Sequence, residues 1–581
     1  MSDTIEFLSF HIPEIKLGDY ELTVKQETPF KTFTTTRQFH VAGERFSLQS
    51  QDIAAVFPPD GSLGDHSNVL PHVILNRSTL PWERVAQADS QAPWLALLVF
   101  DEENAPPLQT LTLGTINSGD GKLPAITKES TQKDSDPVAV IDVSASLLTD
   151  ILPSCDDLPY LAHVRRAGDE ENAVVIANRL PAAGKTSVVH LVSLENRFAG
   201  GQFDFQNAQK VRLVSLMNWR FACVDESHSF AAMVRQLTRH HQAYRLPTSS
   251  NAVAEDFLKE GYIPVRHAMR NGEKTAAWYR GPFVTGQIED TLALPAKASD
   301  SLLQYNAGIG MFDVSYAAAW ELGRLMALKS TSFSTALYDW KRRRDQSYKM
   351  ESRDTTHPLQ AKQINATMPT DVEEWLLSLA RLDGIPFSYI VPEADLLPVE
   401  SIRFFWLDPN WIRSLLDGAY SIGRITSMDY ELDAMQSLIM PYEAPTGCLI
   451  RSDVISGYPG LLIDAYADTA GTKPLNIIRK SYLAKDILLL LVEGNLTRLD
   501  IHQKPEMLHF AVEMLDETQF QKTMRTNNAE AIDTLQTMRR ISITSLVGKM
   551  KTALGQQAAL QSGDFAYEMI ETAERVSFYR G

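Results

Sequence analysis

Cysteine is scarce in this chain. Cys155, Cys223 and Cys448 lie far apart, are odd in number and include no CxxC pair. That argues against a disulfide framework and a structural zinc site, and it points to a reducing compartment. Positive charge is short too: 55 lysines and arginines face 72 acidic residues, for a formal net charge of -17. Nucleic acid and anionic lipid both demand a positive surface, so neither is an expected partner. Long apolar runs are missing. The most apolar, Ile487 to Val492, has six residues, against about 20 for a membrane-spanning helix. The opening MSDTIEFLSFHIPEIK has neither a basic n-region nor an apolar h-region, so no Sec-type signal is read there. The expected location is cytoplasmic, or outside the cell by a route the N-terminus does not encode. Catalytic signatures are absent as well: no GxSxG elbow, HExxH, GxGxxG or EF-hand loop occurs.

What is present is ordinary globular material. With 581 residues, 44% of them hydrophobic and 9% aromatic, the chain can bury real cores in about three or four domains. The stretch Asp313 to Arg344 organises the rest. From Val314 to Leu328 nearly every position is apolar or small, which predicts a buried helix with Asp313 as its N-cap. Glu321 and Arg324, three apart, are expected to pair on one face. A second helix carrying Phe333, Leu337 and Trp340 is expected to fold back on the first and end in the exposed run Lys341-Arg342-Arg343-Arg344.

Around that hairpin the pattern alternates between strand and helix. Residues 1–50 read as strands, with Tyr20 to Val24 alternating inward and outward, and predict a small β-sandwich or sheet layer. Pro93 to Glu102 is a continuous apolar run, expected to be a strand covered on both faces. Val189 to Phe198 nearly repeats as Val211 to Phe221 around a shared LVSL, as two neighbouring strands of one sheet would, or as two β-segments do by chance. Trp411 to Leu416 reads as a short helix stopped at Asp417-Gly418. The fold class is α+β, multidomain. A β-rich N-terminal domain spans 1–130 and a β-rich α+β domain spans 131–300. The central helical hairpin covers 301–345, a flexible linker or loop 346–370, and an α+β C-terminal domain 371–581.

Several phrases form a set: GDYELTV, VAGERFSL, FPPDGSLG, LPHVILNRSTLPWER, PWLALLVFDE, WYRGP, DVSYAAAWELGRLMAL and LIRSDVISGYPGL. With these, most of the chain resembles a family of large, uncharacterised bacterial and fungal proteins. The resemblance brings no catalytic residues. It implies an accessory part of a phage-tail-like contractile assembly.

Three segments carry reactive or recognisable side chains. Cys223 to His228, with His240 and His241 downstream, holds a thiol, carboxylates and imidazoles, the materials of a cysteine nucleophile or a metal site. A helix between His228 and His240 would set them about 18 Å apart, and Asp225, Glu226 and Ser227 equally suit a helix start. Trp278, Tyr279 and Arg280 would make a sugar- or partner-binding platform if exposed, as would Phe404-Phe405-Trp406, or else serve the core. Pro181 to Ser187 ends like a phosphate-binding loop, but Arg179 stands where the signature needs glycine and a β-type segment follows. It is read as a hairpin turn. Among Glu83, Arg84, Asp101, Glu102 and Glu103 no spacing selects an acid/base pair.

These observations lead to a non-enzymatic structural or interaction subunit of a larger assembly. Its expected partners are other protein subunits, with a homo-oligomer as one form, and no cofactor and no metal are expected. The alternatives are a hydrolase-type enzyme with its site near Cys223, His228 and His240, and a carbohydrate- or ligand-binding protein using Trp278, Tyr279 and Arg280.

Overall fold

The computed structural model describes residues 4–580 except 89, 118–125, 206–207, 238–241, 270, 289–291, 354–366, 436–444, 505–506, 515–518, 527–528, 533, 536–537, 556–558 and 572. The fold is multidomain α+β. Contacts divide it into two compact units, Met1–Ser229 with Pro505–Ala573, and Phe230–Lys504 with Glu574–Gly581. Both units are discontinuous in sequence, so the divisions expected near 130, 300, 345 and 370 are not where the contacts part the chain.

The first unit is built on two sheets, antiparallel except where Leu63–Gly64 pairs parallel to Lys210–Cys223 in the second. One has five strands in the order Ile5–Leu8, Ala162–Ala167, Glu170–Ile176, His72–Leu75 and Ile53–Phe57. The other runs Leu95–Asp101, Thr186–Ser193, Lys210–Cys223, Pro137–Ser144 and Gln109–Thr112. Val73, Leu75, Ala173 and Val175 of the first sheet share a core with Leu95, Leu97, Val99 and Leu191 of the second. The outer faces are covered too. Val174 and Ile176 pack with Leu546, Met550 and Phe565 from the helices Ile543–Ala553 and Ser562–Met569. Leu98, Phe100 and Val192 pack with Leu148 and Ile151 of the helix Ala145–Ile151. A strand covered on both faces needs apolar residues at every position, which is why Leu95–Asp101 reads as an unbroken run. The two LVSL segments are antiparallel neighbours, Thr186 opposite Ala222 and Val192 opposite Ser215.

The second unit centres on another doubly covered sheet: Phe283–Val284, Ser401–Leu407, Thr446–Arg451, Ile487–Val492 and Ile477–Ala484. Ile487, Leu489 and Leu491 face a helical core, while Leu488, Leu490 and Val492 face a smaller one. The helical core is formed by Ser315–Lys329, Thr331–Arg353, Thr370–Ala380 and Pro409–Tyr420.

Here several local expectations are corrected. The Ser315 helix is not buried all round, since Leu325 and Leu328 are exposed. Its closest partner is Pro409–Tyr420, against which Gly323 and Gly418 lie face to face; a Cβ on either would sit 1.9 Å from a carbonyl oxygen of the other helix. Asp417-Gly418 therefore does not stop that helix, which is capped at its start by Asp408. Asp313 accepts the Ser315 N–H at 2.9 Å, one residue ahead of the N-cap Val314. Glu321 accepts from Ser299 and Arg324 donates to Ser421 rather than to each other. The following helix continues to Arg353, beyond the hairpin end expected at 345. The rest of the expected linker falls largely on 354–366, outside the described residues.

Lys341 is buried, not exposed. Its Nζ donates to the Tyr420 carbonyl and, at 2.7 Å, to Asp433, which also accepts from Arg344 at 3.1 Å and Arg424 at 2.8 Å. Burial pushes the Lys341 ammonium down to about 8 against the raising pull of Asp433. One carboxylate thus holds three cations inside a helical core. Asp433→Asn is expected to cost about 3 kcal/mol, the penalty of leaving buried charge unmatched. Urea unfolding of the variant, followed by circular dichroism, measures it.

Candidate functional site

Several of the residues proposed from sequence for chemistry are buried or capping residues. Cys223 ends the strand Lys210–Cys223, is buried, and burial pushes its thiol up to about 12, far from the thiolate that a nucleophile needs. Asp225 caps a short 3-10 turn, Glu226–His228, by accepting the Ser227 N–H, and His228 lies exposed on that turn. His240 and His241 lie outside the described residues.

Trp278 and Tyr279 are buried rather than displayed. Trp278 stacks on Phe257 with ring centres 4.8 Å apart, and the Tyr279 hydroxyl donates to the Tyr389 carbonyl. Arg280 pairs with Asp408 at 2.9 Å beneath the Tyr262 ring. Phe404 and Phe405 are core residues on opposite faces of their strand. Pro181–Lys185 leads by a turn, with Gly184 at φ +68, into the strand Thr186–Ser193. Of the charges singled out from Glu83 to Glu103, Glu83 pairs with Arg77, Asp101 with Arg179 and Glu103 with Lys185. Arg84 bridges Glu129 and Glu195. Among the described residues no cluster of three or more His, Cys, Asp or Glu is placed to hold a metal ion, and no helix is long and apolar enough to cross a membrane.

One element is set apart by its exposure. The strands Gly18–Glu27 and Thr32–Val41 pair with each other over ten positions, from Gly18 opposite Val41 to Glu27 opposite Thr32, and form a two-stranded sheet of their own. Of the two forms expected of residues 1–50, they make a sheet layer rather than a sandwich, while Ile5–Leu8 joins the five-stranded sheet. The turn is tied by Thr28, whose hydroxyl donates to the Lys31 carbonyl at 2.7 Å and accepts the Lys31 N–H. Alternation sorts the side chains onto two faces. One face is polar: Thr23 meets Thr36, Gln38 donates to Glu21, and His40 bonds Asp19 at 2.8 Å. Hydrogen bonds from His40, and then Ser130, hold the Asp19 carboxyl below its ordinary range.

The other face is mainly apolar: it carries Tyr20, Leu22, Val24 and Gln26 on one strand, opposite Phe39, Arg37, Thr35 and Phe33 on its partner. Tyr20 and Phe39 stack at 5.4 Å. Leu22 and Val24 are each 56% exposed, Phe33 52% and Phe39 48%, while Phe30 at the tip is 98% exposed. A pattern of one apolar and one polar face is that of a half-buried sheet. In this chain the apolar face is open, and a lone hairpin is at best marginally stable in water. The Asp19–His40–Ser130 contact ties its root to the first unit. The sequence showed the alternation but carries no sign of whether the apolar side would be covered.

No protein-family model, curated protein or solved structure matches the chain.

Proposed function

We propose that this protein is a non-enzymatic interaction subunit that assembles through the Gly18–Val41 ribbon, with a second copy of the chain as its partner. The observation that carries the reading is the open apolar face of an otherwise regular, amphipathic ribbon. Two such faces laid together bury each other and satisfy a two-fold axis, since the same patch serves both copies. Charge permits it. Within the ribbon Asp19, Glu21 and Glu27 are balanced by Lys25, Lys31 and Arg37, whereas the whole chain carries -17. The ribbon is therefore where two acidic copies approach with least repulsion.

Size sets the strength. Ten residues at about 3.3 Å each give a face roughly 33 Å long and 10 Å wide, on the order of 350 Å² per copy. That is below the roughly 800 Å² per partner of a standard stable interface. Phe30 at the tip is exposed as well, and association is expected at micromolar concentration. The setting implied by the family resemblance, a phage-tail-like assembly, belongs to the same proposal. The test is sedimentation velocity on the chain and on the triple variant Leu22→Ser, Val24→Ser, Phe33→Ser. The parent is expected to show a concentration-dependent shift to a faster species that the variant lacks. Equal sedimentation of the two at every concentration contradicts the reading.

A further inference from the structure

The ribbon has two edges as well as two faces. Gly18–Glu27 and Thr32–Val41 pair with each other, and among the described residues no other backbone group bonds to the outer side of either. Each strand therefore presents a row of N–H and C=O groups to water. Such a row is a template for another strand unless it is short, bulged, or guarded by lysine, proline or charge.

The two edges differ in that protection. Gly18–Glu27 carries Asp19, Glu21, Lys25 and Glu27. Thr32–Val41, TFTTTRQFHV, has no lysine, proline or acid, and Arg37 is its one permanent charge. Threonine, phenylalanine and valine, which suit a strand, make up most of it. It is exposed from Thr32 to Phe39, and its register against Gly18–Glu27 runs without a bulge.

We infer that the outer edge of Thr32–Val41 pairs with the same strand of a second copy, antiparallel and centred on Thr36. The inference rests on the preceding reading only in that the ribbon meets other copies, and it adds a contact that the open face does not make. Self-complementarity selects both the occupant and the register. A two-fold axis through an antiparallel pair sets each residue opposite one on the same side of the sheet. Centring on Thr36 places Phe33 opposite Phe39 of the second copy, Thr34 opposite Gln38 and Thr35 opposite Arg37. Aromatic pairs stabilise a ladder, and like charges directly opposed weaken it. Centring on Arg37 would oppose two guanidinium groups, and centring on Thr35 would set Phe33 against Arg37. Gly18–Glu27 paired with itself about Thr23 would oppose Asp19 and Glu27 at both ends. Pairing through Thr32–Val41 also doubles the apolar face to roughly 700 Å², near the roughly 800 Å² per partner of a standard interface.

The experiment is hydrogen exchange read by mass spectrometry on the full chain, at low micromolar and at several hundred micromolar concentration. About half the amides of Thr32–Val41, those facing outward, are expected to exchange at least about tenfold more slowly at the higher concentration, with the outward amides of Gly18–Glu27 unchanged. Thr36→Lys is expected to remove the slowing, because it opposes two ammonium groups across the axis. Thr36 lies on the polar face against Thr23, so this change leaves the apolar face and its concentration-dependent rise in mass in place. Slowing that persists in the double variant Leu22→Ser, Val24→Ser supports the edge contact whether or not the faces meet. A mass that rises with concentration without slowing at Thr32–Val41 overturns the edge contact and leaves the face contact standing. Equal slowing of both strands, or slowing that survives Thr36→Lys, overturns it as well.

Discussion

Gly418→Ala is expected to destabilise the second unit by about 2–4 kcal/mol, a large effect for a single substitution. Glycine costs a helix about 1 kcal/mol relative to alanine, so two glycines facing each other across a helix pair need a reason. The reason is distance. A Cβ at Gly418 would lie 1.9 Å from the Trp320 carbonyl oxygen, and one at Gly323 would lie 1.9 Å from that of Leu415. Both obstacles are backbone, so no rotamer change relieves them, and the helices themselves must part. Parting them strains the hydrogen bonds that clamp the pair, Trp320 Nε1 to Asp417 at 2.9 Å and Arg324 to Ser421 at 2.9 Å. It also opens the packing around Leu322, Leu415, Leu416 and Ala419. Overpacking at about 1–3 kcal/mol and the two weakened bonds at about 1 kcal/mol each, less the roughly 1 kcal/mol that alanine gains over glycine in a helix, give the stated loss. Gly323→Ala should cost a similar amount, and the double variant less than the sum, because helices already parted admit the second methyl. Urea unfolding followed by tryptophan fluorescence reads this, with Trp320, Trp340 and Trp411 in that core. Gly548→Ala is the control. That glycine sits in the helix Ile543–Ala553 with nothing within 4 Å of its would-be Cβ, and the change is expected to stabilise slightly. A Gly418→Ala protein with the parent's midpoint would refute the packing described.

Acid is expected to open the first unit more steeply than its carboxylates alone would cause. Four buried histidines lie there, His66, His72, His163 and His190. Burial pushes the imidazoles of His66 and His190 down to about 4, and those of His72 and His163 well below the ordinary 6.5, where the nearby Arg165 adds to the effect. His72 and His163 both lie edge-on to Phe510, with ring centres 4.9 and 5.5 Å away, and neither nitrogen of His163 has a hydrogen-bond partner among the described residues. The sign follows from proton counting. Between 6.5 and about 4 the unfolded chain takes up protons at these sites and the folded chain does not. Stability is therefore full above pH 6.5 and falls as the pH drops through that window. One unit below 6.5, each site costs about 1.4 kcal/mol, so the four together cost about 6 kcal/mol. Hydrogen exchange read by mass spectrometry is expected to show the strands His72–Leu75 and Ala162–Ala167 losing protection between pH 6.5 and 5. His163→Phe should flatten the slope by one proton. Protection unchanged down to pH 5 would contradict the assignment of these histidines as neutral and buried.

Sequence and structure agree where local pattern and burial coincide. Leu95–Asp101 and Ile487–Val492 are legible because a strand covered on both sides must be apolar throughout. The alternation at Tyr20 to Val24 is legible for the same kind of reason. Misreadings arise where the deciding partner is remote. Asp417-Gly418 has the look of a helix stop, yet the glycine is selected by a helix 95 residues earlier, where Gly323 faces it. Lys341 has the look of a solvated helix end, yet Asp433, 92 residues on, draws it inside. Trp278 and Tyr279 are ambiguous in sequence because a core aromatic and a binding-platform aromatic have the same composition.

The central claim is that the open apolar face of the Gly18–Val41 ribbon brings copies of this chain together. Light scattering on the native protein across a series of micromolar concentrations tests it most directly. The account predicts an average mass that rises from 64.9 kDa toward twice that value as concentration increases. A mass fixed at 64.9 kDa over the whole series would contradict it.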